Sequence, residues 1–514
     1  MENSRTKNSI LIMVTGVGQK LVNMAIGFIS RKIFIVYLGM AYVGLNALFS
    51  NVLSLLSLAE LGLGSAITVY LYKPLAGKDE EEIRTYMHFY KKCYRYIGAA
   101  ILVMGLCLVP ALPYMVNFDN SETPDVNLYL VYLLFLANSV ASYWFFAYKS
   151  SILTADQKGY HVNNLTTLYS ALASIAKCLV VVLTRKFILA LITELALGIL
   201  KNIMIARKAD QLYPFLKEPG AKPVPPPVLK KMFRDVRALF LSNVSFKLFS
   251  ATDNLIISAV LTTTLVGYAD NYTMIINYVV MVIAMVTASL TASIGNLNAR
   301  ESMERRMEVF RELDLANFWI SSVSFVCLFC LLTPCVQLFF GMDKALSRSI
   351  VLFLSLHFYM GTANNILSSF KTTMGVLRQG CYLALFGGVL NILLTLWLAS
   401  TMGLPGVYLA TILSEIFTTF FPVGYYTFRD GFGLPSGKYL FTMAWRMLLT
   451  MGMGGFVYWL CSLPGEVTWG WFILQCGVCA LVPNIILLVL FGRTQAFRDL
   501  LKRAERILAQ RAQK

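Results

Sequence analysis

The stretch SLAELGLGSAITVYLYKPLAGKDEEEIRTY, residues 57–86, decides the reading of the fold. Its first half is greasy enough to lie in hydrocarbon. Yet Glu60 sits inside that half, among small residues, and a dense charge run follows at once. The same alternation recurs along the whole chain. Of 514 residues, 57% are apolar and only 14% charged, against about 25% charged in a soluble domain. The apolar runs are each close to the ~20 residues that cross a bilayer core as a helix. The chain is therefore expected to be an all-α polytopic membrane protein.

About fourteen spans are expected. They lie near residues 9–38, 42–71, 96–117, 126–148, 162–184, 187–206, 238–260, 265–295, 315–340, 349–370, 380–401, 403–427, 439–462 and 469–492. The formal charge of +17 would suggest nucleic acid if it lay on one soluble face. It lies instead in short loops between the greasy runs. With the N-terminus placed inside, 34 of the 44 Lys and Arg fall in inner segments, four in outer loops and six within spans. That is the positive-inside bias, and it puts both termini on the cytoplasmic side. No nucleic acid partner is expected. The N-terminus reads as a first membrane helix and not as a cleaved signal. The CxxC spellings at Cys327/Cys330 and Cys476/Cys479 lie inside spans, and the chain has three histidines. These cysteines read as apolar packing residues, and no metal or other cofactor is expected.

The domain reading follows from one interruption. Residues 207–237 form a proline-rich basic linker, expected to be extended, whose basic end has the pattern of a surface helix. It separates an N-lobe of six spans (1–206) from a C-lobe of six (238–430). Two more spans (431–492) and a basic amphipathic tail (493–514) follow. Weak internal matches support a duplication. Glu194 matches Glu415, and Gly159 matches Gly380, each 221 residues apart; YVGL (42–45) matches LVGY (265–268) at 223. Six spans restore the starting side, so the lobes would be related by a pseudo-twofold axis along the membrane normal. Parallel repeats of this kind suit alternating access.

Several polar residues have no reason to face lipid. The first span carries Lys20, Asn23, Ser30 and Arg31 at helical spacing. The second carries Asn46, Ser50, Ser54, Ser57 and Glu60. The seventh carries Asn243, Lys247, Ser250, Asp253 and Asn254; the eighth opens with Asp270 and Asn271. Lys177 and Arg446 lie in the fifth and thirteenth. A cation at the bilayer centre costs about 2.5–3.5 kcal/mol on insertion scales. These side chains either pair with a neighbouring acid or line a wet cavity. Lys20, Arg31, Lys247, Asn23, Asn46 and Asn254 are the expected lining of a cationic substrate cavity between the lobes. Glu60, Asp253, Asp270, Glu194 and Glu415 are expected to be structural acids or coupling acids for a proton or sodium gradient.

The segment LSLAELGLGSAI followed by YLYKPLAGKD resembles the second helix and first cytoplasmic loop of Wzx-type oligosaccharide flippases. These are the polysaccharide-transport branch of the multidrug/oligosaccharidyl-lipid/polysaccharide (MOP) exporter superfamily. LTADQKGYHVNN and NILLTLWLASTMGLPGVYLATILSE resemble further segments of the same proteins, in the same order. The resemblance implies a transporter and not an enzyme, in the bacterial cytoplasmic membrane. It implies a polyprenyl-diphosphate-linked oligosaccharide carried from the cytoplasmic to the outer leaflet, with membrane lipids and glycan polymerase or assembly proteins as partners. It also implies roles for Arg31 and Lys20. Two activities on the same fold stay open: a cation-coupled multidrug extruder and a lipid II flippase. The multidrug reading would want acids in the first helix, which has none.

Overall fold

The computed structural model describes residues 2–57, 63–118, 123–218, 222–376, 379–462 and 468–512, although not every side chain among them. All regular structure among these residues is helical. The chain separates into two compact units, Met1–Gly267 and Tyr268–Lys514.

In the first unit α1 is Glu2–Tyr37, α2 Met40–Leu56, α3 Leu63–Gly77, α4 Glu80–Leu108 and α5 Leu112–Met115. Then come α6 (Leu128–Trp144), α7 (Ser150–Ala155), α8 (Gly159–Thr184), α9 (Phe187–Leu212) and α10 (Pro226–Val260). The charge run after α3 is the start of the next helix. Lys78 adopts a left-handed conformation (φ 55°) that ends α3. The Asp79 carboxylate then accepts from the backbone N–H of Glu82 at 2.9 Å. Such a cap satisfies an orphan donor, and Glu80, Glu81 and Glu82 complement the positive helix end. Two ion pairs from this turn hold the linker: Arg84 with Glu218 at 2.9 Å, and Glu81 with Lys222 at 2.6 Å.

The linker is shorter than its prolines suggest. Helix α9 runs on to Leu212, and α10 begins at Pro226 and continues without a break to Val260. Pro226 and Pro227 suit a first turn, where the missing N–H is no loss. The basic segment near Lys230 is thus the first part of α10 and not a separate surface helix.

Two residues paired by the internal match meet each other. A methyl group on Gly44 of α2 would stand 2.0 Å from the Thr263 carbonyl oxygen, and one on Gly267 would stand 2.9 Å from the Gly44 nitrogen. Backbone packs directly on backbone there, which only glycine permits. The adjacent turn is sewn down by Asn117, whose side chain donates to Leu261 O at 2.7 Å, and by Ser258, which donates to Met115 O at 2.7 Å.

Helix α11 (Thr263–Arg300) crosses the boundary between the units. The second unit continues with α12 (Met303–Phe340), α13 (Arg348–Ala363), α14 (Asn365–Thr373), α15 (Cys381–Met402) and α16 (Leu404–Glu415). It ends with α17 (Phe421–Tyr426), α18 (Gly437–Cys461), α19 (Trp469–Phe491) and α20 (Gln495–Ala512). Phe310, Phe370, Phe428 and Phe432 form an aromatic core with Ile294, Ile366 and Leu367. The tail helix α20 folds onto α12, with Phe497 stacked on Trp319 at 5.5 Å.

Among the described residues, ten helices are long and apolar enough to cross a membrane, and α6 with α7, bent by 45°, makes an eleventh. This is a multi-pass membrane protein. The three expected spans outside that count are the first, second and seventh, which are the ones with polar stripes. Of the second, Met40–Leu56 has 17 residues, and Glu60 lies outside the described residues.

The glycine crossing makes a prediction. Gly44→Leu must push α2 off α11, at a cost of about 1–3 kcal/mol for overpacking. A lower thermal midpoint is expected for the purified variant. Gly18→Ala, where nothing lies within 4 Å, should leave the midpoint unchanged or raise it.

Candidate functional site

The polar groups of the first unit gather where α1, α6, α8 and α9 pack. Asn163 of α8 donates to Ile12 O and to Thr15 Oγ1 of α1, both at 3.2 Å. Cys178 donates to Ser30 Oγ at 3.3 Å. Such bonds hold membrane helices together where no hydrophobic force favours association. Between α6, α8 and α9 lies a partly enclosed polar cavity of about 180 Å³. Asn138, Tyr169, Ser170 and Ser174 line it, with Lys177, Glu194 and Lys201 as its charges.

Within it, Lys177 Nζ donates to Glu194 Oε2 at 2.9 Å and lies 5.2 Å over the Phe34 ring. Lys177 therefore pairs with the neighbouring acid, one of the two outcomes left open by the sequence. Lys201 differs. It lies in α9, half-buried, although its place in the sequence suggests the inner loop. No acid lies within ion-pair distance of its Nζ among the described residues; it feels Glu194 only at longer range. The cavity thus holds two cations and one anion. Lys201 follows Glu194 by seven residues, about two helical turns. That spacing places both on one face and was readable in the sequence.

The other expected site residues are scattered. Lys20 and Asn23 are exposed on α1, and Arg31 is half-buried. Asn46 on α2 and Asp253 and Asn254 on α10 are half-buried, as is Asp270 on α11. The side chain of Lys247, like Glu60, lies outside what is described. Glu415 faces His357 Nδ1 at 2.8 Å, a charged pair only when the histidine is protonated. The two glutamates matched by the repeat are thus both partnered within their own unit, Glu194 by a lysine and Glu415 by a histidine.

Around Glu415 the second unit departs from regular helix. The turn Ile416–Phe420 is π-helical, and α13 breaks from α14 at Asn364. Asn364 donates to Phe420 O at 3.1 Å, and Asn317 donates to Thr362 O and Ala363 O at 3.0 and 2.8 Å. These amides satisfy carbonyls that the breaks set free, as any backbone group in hydrocarbon must be. Nothing in the hydropathy pattern announces them.

Arg446 also finds an acid. Its guanidinium donates to Asp314 Oδ2 at 2.5 Å, and Tyr439 donates to Asp314 Oδ1 at 2.8 Å. The side chains are 15% and 7% exposed, so this pair ties α18 to α12 in a dry setting. Of the paired cysteine spellings, Cys330 and Cys479 are buried free thiols. Cys461 lies 4.0 Å from Cys479, sulfur to sulfur.

The fold defined by these helices is that of the MOP transporters. The inward closed conformation of the lipid II flippase MurJ matches with a TM-score of 0.67 and 17% identity, over 96% of this chain and 100% of that one. An inward-facing MATE-family multidrug resistance transporter of the MOP superfamily gives 0.57 and 13%, over 84% and 96%. A MOP superfamily transporter from Pyrococcus furiosus, described as having a binding pocket of reversed polarity, gives 0.51 and 14%, over 82% and 96%. No family model and no curated protein matches the chain.

The Asp314–Arg446 pair is testable. Asp314→Ala leaves a buried arginine without its acid and should cost about 3–5 kcal/mol. Asp314→Leu combined with Arg446→Met removes both charges and should recover most of the loss. Thermal unfolding of the three proteins in one detergent checks this.

Proposed function

We propose that the chain is a flippase for a polyprenyl-diphosphate-linked oligosaccharide, moving it from the cytoplasmic to the outer leaflet. The observation that carries this reading is the surplus of positive charge inside spanning helices. Lys20 is exposed on α1, and Lys201 lines a polar cavity with no acid within ion-pair distance of it among the described residues. Arg31, which has an interaction of its own, lies on the same helix as Lys20. Cations kept in helices at this cost call for an anionic cargo. A diphosphate offers charge and acceptors that arginine takes through a bidentate fork and lysine as a point charge. The Asn and Ser side chains suit sugar hydroxyls, and the polyprenyl tail can remain in lipid. Lys20, Arg31 and Lys247 are the residues proposed to meet the headgroup. The energy is proposed to come from an ion gradient, the membrane potential or consumption of the product.

A lipid II flippase is the second reading, favoured by the likeness to MurJ along the whole chain. Its cargo shares the polyprenyl diphosphate, so the cation argument serves both. Cation-coupled drug extrusion would want an acid on α1, and Glu2 is the sole acid there.

The test uses proteoliposomes loaded with a fluorescent polyprenyl-diphosphate glycan and an external quencher. Wild type should equilibrate the lipid between leaflets. Lys20→Glu with Arg31→Glu should slow this about tenfold or more, because charge-assisted bonds become repulsions. Equal rates in empty liposomes, wild type and variant would overturn the proposal.

A further inference from the structure

The cavity between α6, α8 and α9 has a charge balance that narrows what it can hold. Glu194 neutralises Lys177 at 2.9 Å, and Lys201 is left over. One negative charge would complete the set. A phosphate dianion would bring a second, close to the Glu194 carboxylate, where like charges repel strongly in a low-dielectric site. The rest of the lining is uncharged and mostly polar. Tyr169, Ser170 and Ser174 offer hydroxyls, and Asn138 offers an amide, all able to donate and accept. That is a lining for a polyhydroxylated group and not for a bare ion. The cavity, about 180 Å³ and only partly enclosed, has room on the scale of one sugar ring. Ala173 and Leu197 add apolar surface to the wall, which suits the carbon face of a ring.

We propose that this cavity is a subsite for a single carboxylate-bearing sugar, a uronic acid type of residue, within the transported glycan; the inference rests on the flippase reading above. Lys201 takes the carboxylate, the Lys177–Glu194 pair holds the cavity open, with the Glu194 carboxylate accepting from ring hydroxyls, and Asn138 and the serines fix the ring. Lys201 is thereby a specificity residue, selecting acidic repeat units over neutral ones.

The experiment is a binding measurement, independent of transport. The full chain is placed in nanodiscs of phosphatidylcholine alone, so that no anionic lipid competes. Methyl glucuronide, methyl glucoside and inorganic phosphate are titrated and followed by ligand-observed NMR. Methyl glucuronide should bind at least about tenfold more tightly than methyl glucoside, as expected for one charge-assisted contact. Lys201→Gln should erase that preference, and Lys201→Arg should keep it. Removing a half-buried charge with no partner is not expected to unfold the protein, and an unchanged thermal midpoint verifies this. Phosphate binding as tightly as glucuronide would overturn the carboxylate assignment. Absence of glucuronide binding, or equal binding by wild type and Lys201→Gln, would overturn the subsite while leaving transport of lipid-linked glycan untouched. Glucuronide bound through Lys201 by a protein that moves no lipid-linked glycan would instead sink the flippase reading, and the glycan part of this inference with it.

Discussion

A charge inside a bilayer has to be matched, wetted or used. That constraint orders the polar residues of this protein. Arg446 and Lys177 are matched, by Asp314 and Glu194, and each pair joins two helices of one unit. The acids Glu194 and Glu415, which repeat across the two halves, are both partnered, so neither stands as an isolated carboxylate in the membrane. Lys201, by contrast, has no acid within ion-pair distance among the described residues.

The same rule governs the backbone. Where α13 breaks from α14 and the turn after Glu415 widens, Asn317 and Asn364 supply the missing donors. Where α2 and α11 cross, glycines at 44 and 267 remove the side chains, and the main chains touch. These are two solutions to close packing in a medium that gives no hydrophobic drive: small residues for contact, and amides for freed carbonyls.

Much of this was legible in the sequence, and the reasons for the rest are physical. Hydropathy placed the helices because the membrane demands long apolar runs, and the charge run at 78–86 is a capped helix start that local chemistry fully explains. The facing of Lys177 and Glu194 across one hairpin was within reach of spacing. Asp314 and Arg446 were not, because 132 residues separate them and only the fold brings them together. Lys201 was hidden by its nearness to a basic loop, where a lysine needs no explanation; the continuation of α9 to Leu212 makes it a membrane residue. The prolines of the linker suggested extended chain, but two of them open a helix. Fourteen spans are expected, and among the described residues ten or eleven pass on length and apolarity. The other three, the first, second and seventh, each include residues that are not fully described.

The cations of the helices are proposed to serve an anionic, lipid-linked glycan. The most direct measurement is the leaflet location of that lipid in cells lacking this gene and any redundant flippase, fed a labelled sugar. The account predicts accumulation on the cytoplasmic face, relieved by the wild-type gene and not by Arg31→Glu. Normal distribution across the two leaflets in those cells would contradict it.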